Sequence, residues 1–235
     1  MNVSVVIPVW NERPNLPACV ASVRAALPAA EIIAVDAGSS DGSRAWLAAA
    51  PGVRLVDAPR GKGPQQNAGA AAAGGDVLLF LHADCELPAG SAKGLDGALA
   101  DPKAAGGCFD VRFAERRPWS LRALALGMNV RARILRRAYG DQALFVRRAV
   151  FERVGGFPDW PLFEDYELVR RFKRHGRFQV LPLPITLSAR RFLKYGVWRT
   201  LALVFVLQLG FYLGISPRRL KRWFVDVRPR TAGTT

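Results

Sequence analysis

The run Val77-Leu-Leu-Phe-Leu-His-Ala-Asp84 constrains the fold more than any other stretch of this chain. It is an almost unbroken apolar segment of strand length that stops abruptly at His82, Ala83 and Asp84. A strand apolar on both faces belongs inside a parallel sheet covered by helices, and ligands of such sheets gather beyond the carboxyl ends of the strands. Glu31-Ile-Ile-Ala-Val35 repeats the arrangement, running into Asp36 and then the turn-rich Ala37-Gly-Ser-Ser-Asp-Gly-Ser43. Two strands therefore deliver carboxylates to one edge of one sheet.

Short apolar strands and helices alternate through the first half. The pattern predicts strands over 3–8, 31–35, 53–56 and 77–81, with helices over 15–27, 42–50 and 64–73 between them. Repeated units at this spacing make an α/β fold with a mostly parallel sheet and right-handed crossovers. Beyond Pro88 we expect a helix to about residue 100, a strand over 106–111 and a basic amphipathic helix over 119–138. Short helices over 148–154 and 163–175 and a strand over 178–181 follow.

The chain of 235 residues is long enough for one large domain with a substantial core. Its net charge of +15 is unevenly spread: residues 1–111 hold eight Lys and Arg against eleven Asp and Glu, residues 112–235 twenty-six against eight. A cationic back half suggests an anionic partner, whether lipid headgroups, nucleic acid or a phosphorylated substrate, with plain compositional bias toward Arg as the alternative. The arginines are not interleaved with any recognisable nucleic-acid motif, so no nucleic-acid partner is expected.

The apolar segment Leu201 to Ile215 falls short of the roughly 20 residues that span a bilayer. Flanked by Arg190, Arg191, Lys194 and Arg199 on one side and Arg218, Arg219, Lys221 and Arg222 on the other, it suits a helix in the interface of an anionic membrane. Packing on the protein or on a second copy in a homodimer is the equal alternative. Cys19, Cys85 and Cys108 lack metal-ligand spacing and are odd in number, which argues against disulfides and zinc. With no basic leader before the first strand, the expected location is the cytoplasm, peripherally at the inner face of the cell membrane if the tail binds lipid.

Val5-Val-Ile-Pro-Val-Trp-Asn-Glu12, Val35-Asp-Ala-Gly-Ser-Ser-Asp-Gly-Ser43, Arg60-Gly-Lys-Gly-Pro-Gln-Gln-Asn67, Phe80-Leu-His-Ala-Asp84 and Phe163-Glu-Asp165 together resemble glycosyltransferase family 2 in order and spacing. The resemblance spans residues 3 to about 175 and implies a GT-A fold and an inverting transfer from a nucleoside diphosphate-sugar, UDP-type, to an acceptor it does not identify. It divides the chain into a domain over 1–195, with a nucleotide-sugar half (1–111) and an acceptor half (112–195), and a basic apolar helical tail over 196–235. The Gly140-Asp-Gln, Gly155-Gly-Phe-Pro and Ser188-Ala-Arg-Arg stretches are similar to a small bacterial subgroup linked to arsenosugar biosynthesis. A non-catalytic membrane-associated or scaffold protein that retains the fold is the alternative.

Each station also has its own chemistry. Asp36 can accept hydrogen bonds from a base or ribose, or can cap a turn. Glu12 lines the nucleoside pocket or caps the next helix, and Arg60, Lys62 and the intervening glycine offer positive charge with close backbone approach. The resemblance adds Pro8, Val9, Gly61, Gln65 and Ala83 to the nucleotide side. Asp84 holds the last place of the family's Asp-X-Asp motif, where carboxylates bind Mn²⁺ or Mg²⁺ against the diphosphate; His82 replaces the first Asp. Asp165 matches the family's catalytic base, which takes the acceptor's proton as its oxygen attacks the anomeric carbon. Asp141, Gln142, Glu164, Arg190 and Arg191 are placed on the acceptor side, the two arginines having the diphosphate or plain solvated surface as alternatives.

Overall fold

The computed structural model of the protein describes residues 1–115 and 119–224, with the Arg191 side chain outside that description. Four strands, β1 (Val3–Val9), β2 (Glu31–Asp36), β3 (Val53–Asp57) and β4 (Val77–Phe80), are parallel. All seven residues of β1 are buried. Alternation decides which layer each meets: Val5, Ile7 and Val9 join one core with Ala34 and Leu79, whereas Val6 joins the other with Ile33, Val35 and Phe80. The first core is closed by α1 (Leu16–Ala26), α2 (Ser43–Ala49) and α4 (Ser91–Leu99), the second by α3 (Lys62–Ala72).

The remaining strands are β5 (Cys85–Glu86), β6 (Ala104–Phe113), β7 (Leu144–Arg147) and β8 (Arg177–Leu187), and the eight lie in the order β3-β2-β1-β4-β7-β6-β8-β5. Strand β7 runs antiparallel to both β4 and β6, while β6 and β8 are parallel. The chain leaves β1 toward β2 and β3 and returns on the other side to β4, so the switch point of the sheet lies outside the ends of β1 and β4.

The remaining helices are α5 (Trp119–Leu135), α6 (Arg148–Arg153), α7 (Glu164–Phe172), α8 (Arg190–Tyr195), α9 (Val197–Tyr212) and α10 (Pro217–Lys221), with a 3-10 turn at Gly140–Gln142. Several sequence expectations need correction: the two-residue strand β5 has no counterpart among them, and α7 stops at Phe172 rather than 175. Leu144–Arg147 is a strand that was not foreseen, the strand begun at 178 continues past Pro182 and Pro184 to Leu187, and α5 stops at Leu135 rather than 138. The register of β6 on β8 jumps between Phe109 opposite Leu181 and Asp110 opposite Pro184, so a bulge absorbs the first proline.

The tail packs on the domain. Leu207 of α9 and Leu220 of α10 are buried with Phe163, beside the start of α7. No helix among the described residues is long and apolar enough to cross a membrane.

Candidate active site

At the end of β2, the Asp36 carboxylate is fully buried and its Oδ2 accepts the backbone N–H groups of Gly38 and Ser39, each at 3.0 Å. Its Oδ1 is buried with no hydrogen-bond partner. The turn-cap role is therefore real, and it uses only one of the two oxygens. Gln65 behaves differently from the expectation: its Nε2 donates to Val9 O at 2.9 Å and Val35 O at 2.8 Å, tying β1 to β2 rather than reaching outward. Pro8 and Val9 lie opposite Val35 and Asp36 in the sheet, and Ala83 is buried in the core, so these three shape the crevice through backbone and packing. Arg60, just before Gly61 and α3, lays its guanidinium 3.4 Å from the centroid of the Trp10 ring.

Beyond β1 and β4, one arginine joins two acids. Arg190 donates to Glu12 Oε1 at 2.6 Å and to Glu12 Oε2 at 3.0 Å, and its Nη2 lies 2.9 Å from Asp84 Oδ2. Glu12 is almost wholly buried, and its carboxylate also accepts from Asn15 Nδ2 at 2.6 Å. The carboxylate thus neither caps α1 nor opens freely to a nucleoside; it anchors Arg190. Burial opposes the Arg190 charge, but Glu12 and Asp84 outweigh it and hold the guanidinium protonated above its ordinary range. Arg190, left by the sequence between the diphosphate and the acceptor, stands beside Asp84.

Opposite lies the start of α7. Asp165 Oδ2 accepts the Gly140 N–H at 2.5 Å and its Oδ1 accepts the Tyr166 N–H at 2.6 Å, so both oxygens are oriented while each keeps a second lone pair. A Cβ on Gly140 would sit 2.9 Å from His82 Nε2 and 3.2 Å from Asp165 Oδ2. His82 and Asp165 therefore flank one point, and only glycine leaves it open. Glu164 beside them is buried, and burial followed by the Asp165 charge pushes its carboxyl up to about 7. Burial also raises Asp141, with Asp165 and Asp84 adding to the effect and Arg131 and Lys62 opposing it; its Oδ1 has no hydrogen-bond partner.

Gln142 does not line an acceptor surface. It is fully buried, its Oε1 accepting from Arg131 Nη2 at 3.0 Å and its Nε2 donating to Phe109 O at 3.4 Å. Arg191 falls outside the described side chains. Lys62 gains a role the sequence reading gave only to its loop: at the start of α3, its ammonium is close enough to stabilise the charges of Asp141 and Glu164. Its position in a cationic glycine-rich loop was the available signal.

For a divalent cation, Asp84 Oδ1 is the best-placed donor: it meets only the Cys85 thiol, at 3.9 Å, while Oδ2 carries Arg190. Among the described residues no three His, Cys, Asp or Glu side chains gather into a metal cluster, and His82 turns its Nε2 toward Gly140. The residues fit a hard cation only if diphosphate oxygens complete its shell, which is how Mg²⁺-type ions are commonly bound.

Comparison with known proteins agrees with this geometry. Residues 4–155 match Glycosyl transferase family 2. Over 97 residues the chain is 39% identical to an undecaprenyl-phosphate 4-deoxy-4-formamido-L-arabinose transferase of Aeromonas hydrophila, covering 37% of this chain and 30% of that protein. TarS 1–349 of S. aureus superposes with a TM-score of 0.66 at 16% identity, over 83% of this chain and 63% of that one, and TarS structures include complexes with UDP and UDP-GlcNAc. A mannosyltransferase of Pyrobaculum calidifontis, in complex with GDP-Man and Mn²⁺, gives 0.58 at 23% identity, over 79% and 56%. The chain thus spans less than two thirds of each, and the structural likeness establishes the GT-A fold. With the family match covering most of the sheet and its strand-end acids, the chain belongs to glycosyl transferase family 2.

Proposed function

We propose that the protein is an inverting glycosyltransferase that moves a sugar from a nucleoside diphosphate-sugar to an acceptor hydroxyl. The observation that carries this reading is the pairing of an oriented carboxylate, Asp165, with Asp84 and Arg190 across one crevice at the switch point of the sheet. Asp36 accepts from the base or ribose through its unpartnered Oδ1, and Arg60 and Lys62 face the phosphates. Asp165 takes the acceptor proton as the acceptor oxygen bonds to the anomeric carbon from the side opposite the leaving group; the bond from that carbon to the phosphate oxygen breaks, and the diphosphate leaves with the electron pair. Arg190 lies where it can balance that charge. A bound Mn²⁺ or Mg²⁺, held by Asp84 Oδ1, would supply further neutralisation there.

The TarS complexes with UDP and UDP-GlcNAc favour a UDP-type donor. The Aeromonas relative's name puts a lipid phosphate among the acceptors to try, and the arsenosugar resemblance of the 140–142, 155–158 and 188–191 stretches names another class. Three buried free cysteines suit a reducing, cytoplasmic setting. Thermal-shift titration tests the donor site. A UDP-sugar with Mn²⁺ should stabilise the wild type by about 2.7 kcal/mol at a hundredfold excess over Kd, and Asp36→Ala and Asp84→Ala should lose most of that gain. An unchanged shift in both variants would move the nucleotide elsewhere.

A further inference from the structure

Among the described residues, every large hydrophobic side chain classed as exposed, apart from Met1, lies in two stretches, 119–135 and 193–223. On α5, Leu126, Val130 and Ile134 follow one another at four-residue spacing and form an outward stripe, with Ile134 73% exposed, while Leu121, Ala125, Met128 and Ala132 turn inward. On α9 the outward set is Trp198, Phe205, Leu209 and Tyr212, and the inward set Val197, Thr200, Leu207 and Gly210. Each helix already buries one side, so the outward stripes are surplus to the protein's own core.

The two stripes belong to one face. Trp119 and Trp198, at the beginnings of the helices, meet edge to face at 6.3 Å between centroids. At the other ends Arg137 donates to the Tyr212 hydroxyl at 3.1 Å and lies 5.2 Å from its ring. Long side chains thus bridge α5 and α9 at both ends of helices that are each about 25 Å long. Residues 119–137 and 188–224 together hold thirteen Lys and Arg and no Asp or Glu; Arg133 and Arg190 are matched by Asp110, Glu12 and Asp84, while Arg122, Arg136, Lys194, Arg199, Arg218 and Arg219 are exposed. A second copy would bring the same charges against themselves, whereas an anionic headgroup layer complements them, and Trp and Tyr at the margins suit a membrane interface.

We propose that the paired outward faces of α5 and α9 form a docking surface for an anionic bilayer. Exposed Leu, Ile and Phe enter the headgroup boundary, and Arg122, Arg136, Lys194, Arg199, Arg218 and Arg219, all exposed, meet the lipid phosphates. The surface ends at the candidate site: Tyr212 touches Tyr166, next to Asp165, and Arg131 of α5 holds Gln142. This differs from an anchoring tail, because α5 lies in the middle of the domain sequence and is predicted to carry part of the binding.

Co-sedimentation of the full chain with vesicles of equal parts phosphatidylglycerol and phosphatidylcholine tests it. The substitutions Leu126→Glu and Ile134→Glu together remove α5's stripe without touching its buried face; they should lower vesicle affinity at least about tenfold while α9 stays intact. Binding should weaken with salt and be much lower on pure phosphatidylcholine. Circular dichroism and the nucleotide-sugar thermal shift on the same preparations report folding and donor binding separately, so failure of the glycosyl-transfer reading would leave this result interpretable. Wild-type indifference to anionic vesicles, or a double variant that binds like wild type, would overturn the proposal. A dimer in sedimentation that the double variant dissociates, without vesicle binding, would assign the face to a second copy instead.

Discussion

Asp165 and Glu164 are neighbours in the first turn of α7, and their environments set them apart. Asp165 has both oxygens fixed by backbone N–H groups; Glu164 is buried without comparable support and its carboxyl is pushed up to about 7, first by burial and then by Asp165. A carboxyl raised in the folded state binds more protons there than when unfolded, so its cost grows as pH climbs from the ordinary carboxylate range through about 7. Glu164→Gln should therefore raise Tm at pH 8 and change it little at pH 5; calorimetry at the two values checks the sign, and an equal effect at both would contradict it. The Glu12–Arg190 pair makes the opposite kind of prediction. Arg190→Ala strands a buried carboxylate, at about 2–3 kcal/mol, less than a fully buried pair because the Arg190 side chain keeps 34% exposure. Adding Glu12→Gln should restore part of that loss in urea unfolding, and no recovery would show that the pair is not what Arg190 contributes.

At the level of elements, close packing of α3 on the sheet places Lys62 and fixes the strand ends. A Cβ on Gly69 would lie 2.9 Å from Val35 Cγ2 and closer still to Val6. Gly69→Ala should thus cost about 1–3 kcal/mol despite alanine's better helix propensity, read as a fall in the urea midpoint; a stabilised variant would mean the helix can shift. The front half was legible because β1, β2 and β4 are apolar on both faces and end in turn residues or acids. Strand β7 was not, since four apolar residues between a 3-10 turn and α6 carry no period that separates strand from helix. Strand β8 runs past the expected end at 181 because the bulge that absorbs Pro182 depends on pairing with β6, a long-range contact. Asp36 and Asp84 stand out in the sequence by their places at strand ends, and Asp165 by its match to the family's motif. The clasp of Arg190 on Glu12 was hidden, for it joins residues 178 positions apart.

For the whole molecule, a near-neutral half holds Asp36 and Asp84 and a cationic half holds Asp165, Arg190 and the helices α5 and α9. Chain topology joins them, since β7 inserts beside β4 and carries the Gly140–Gln142 turn to the end of β4, where Gly140 fixes Asp165 against His82. On the proposed reading, a single displacement in that crevice would invert the anomeric carbon and would depend on one oriented carboxylate. The most direct measurement follows the anomeric proton by NMR as the protein slowly hydrolyses an α-linked UDP-sugar, water standing in for the acceptor. The account predicts that the β-anomer appears first, and that Asp165→Asn lowers the rate about 10²–10⁴-fold while the nucleotide-sugar thermal shift persists. An α-anomer formed first, or an Asp165→Asn protein that turns over like the wild type, would contradict it.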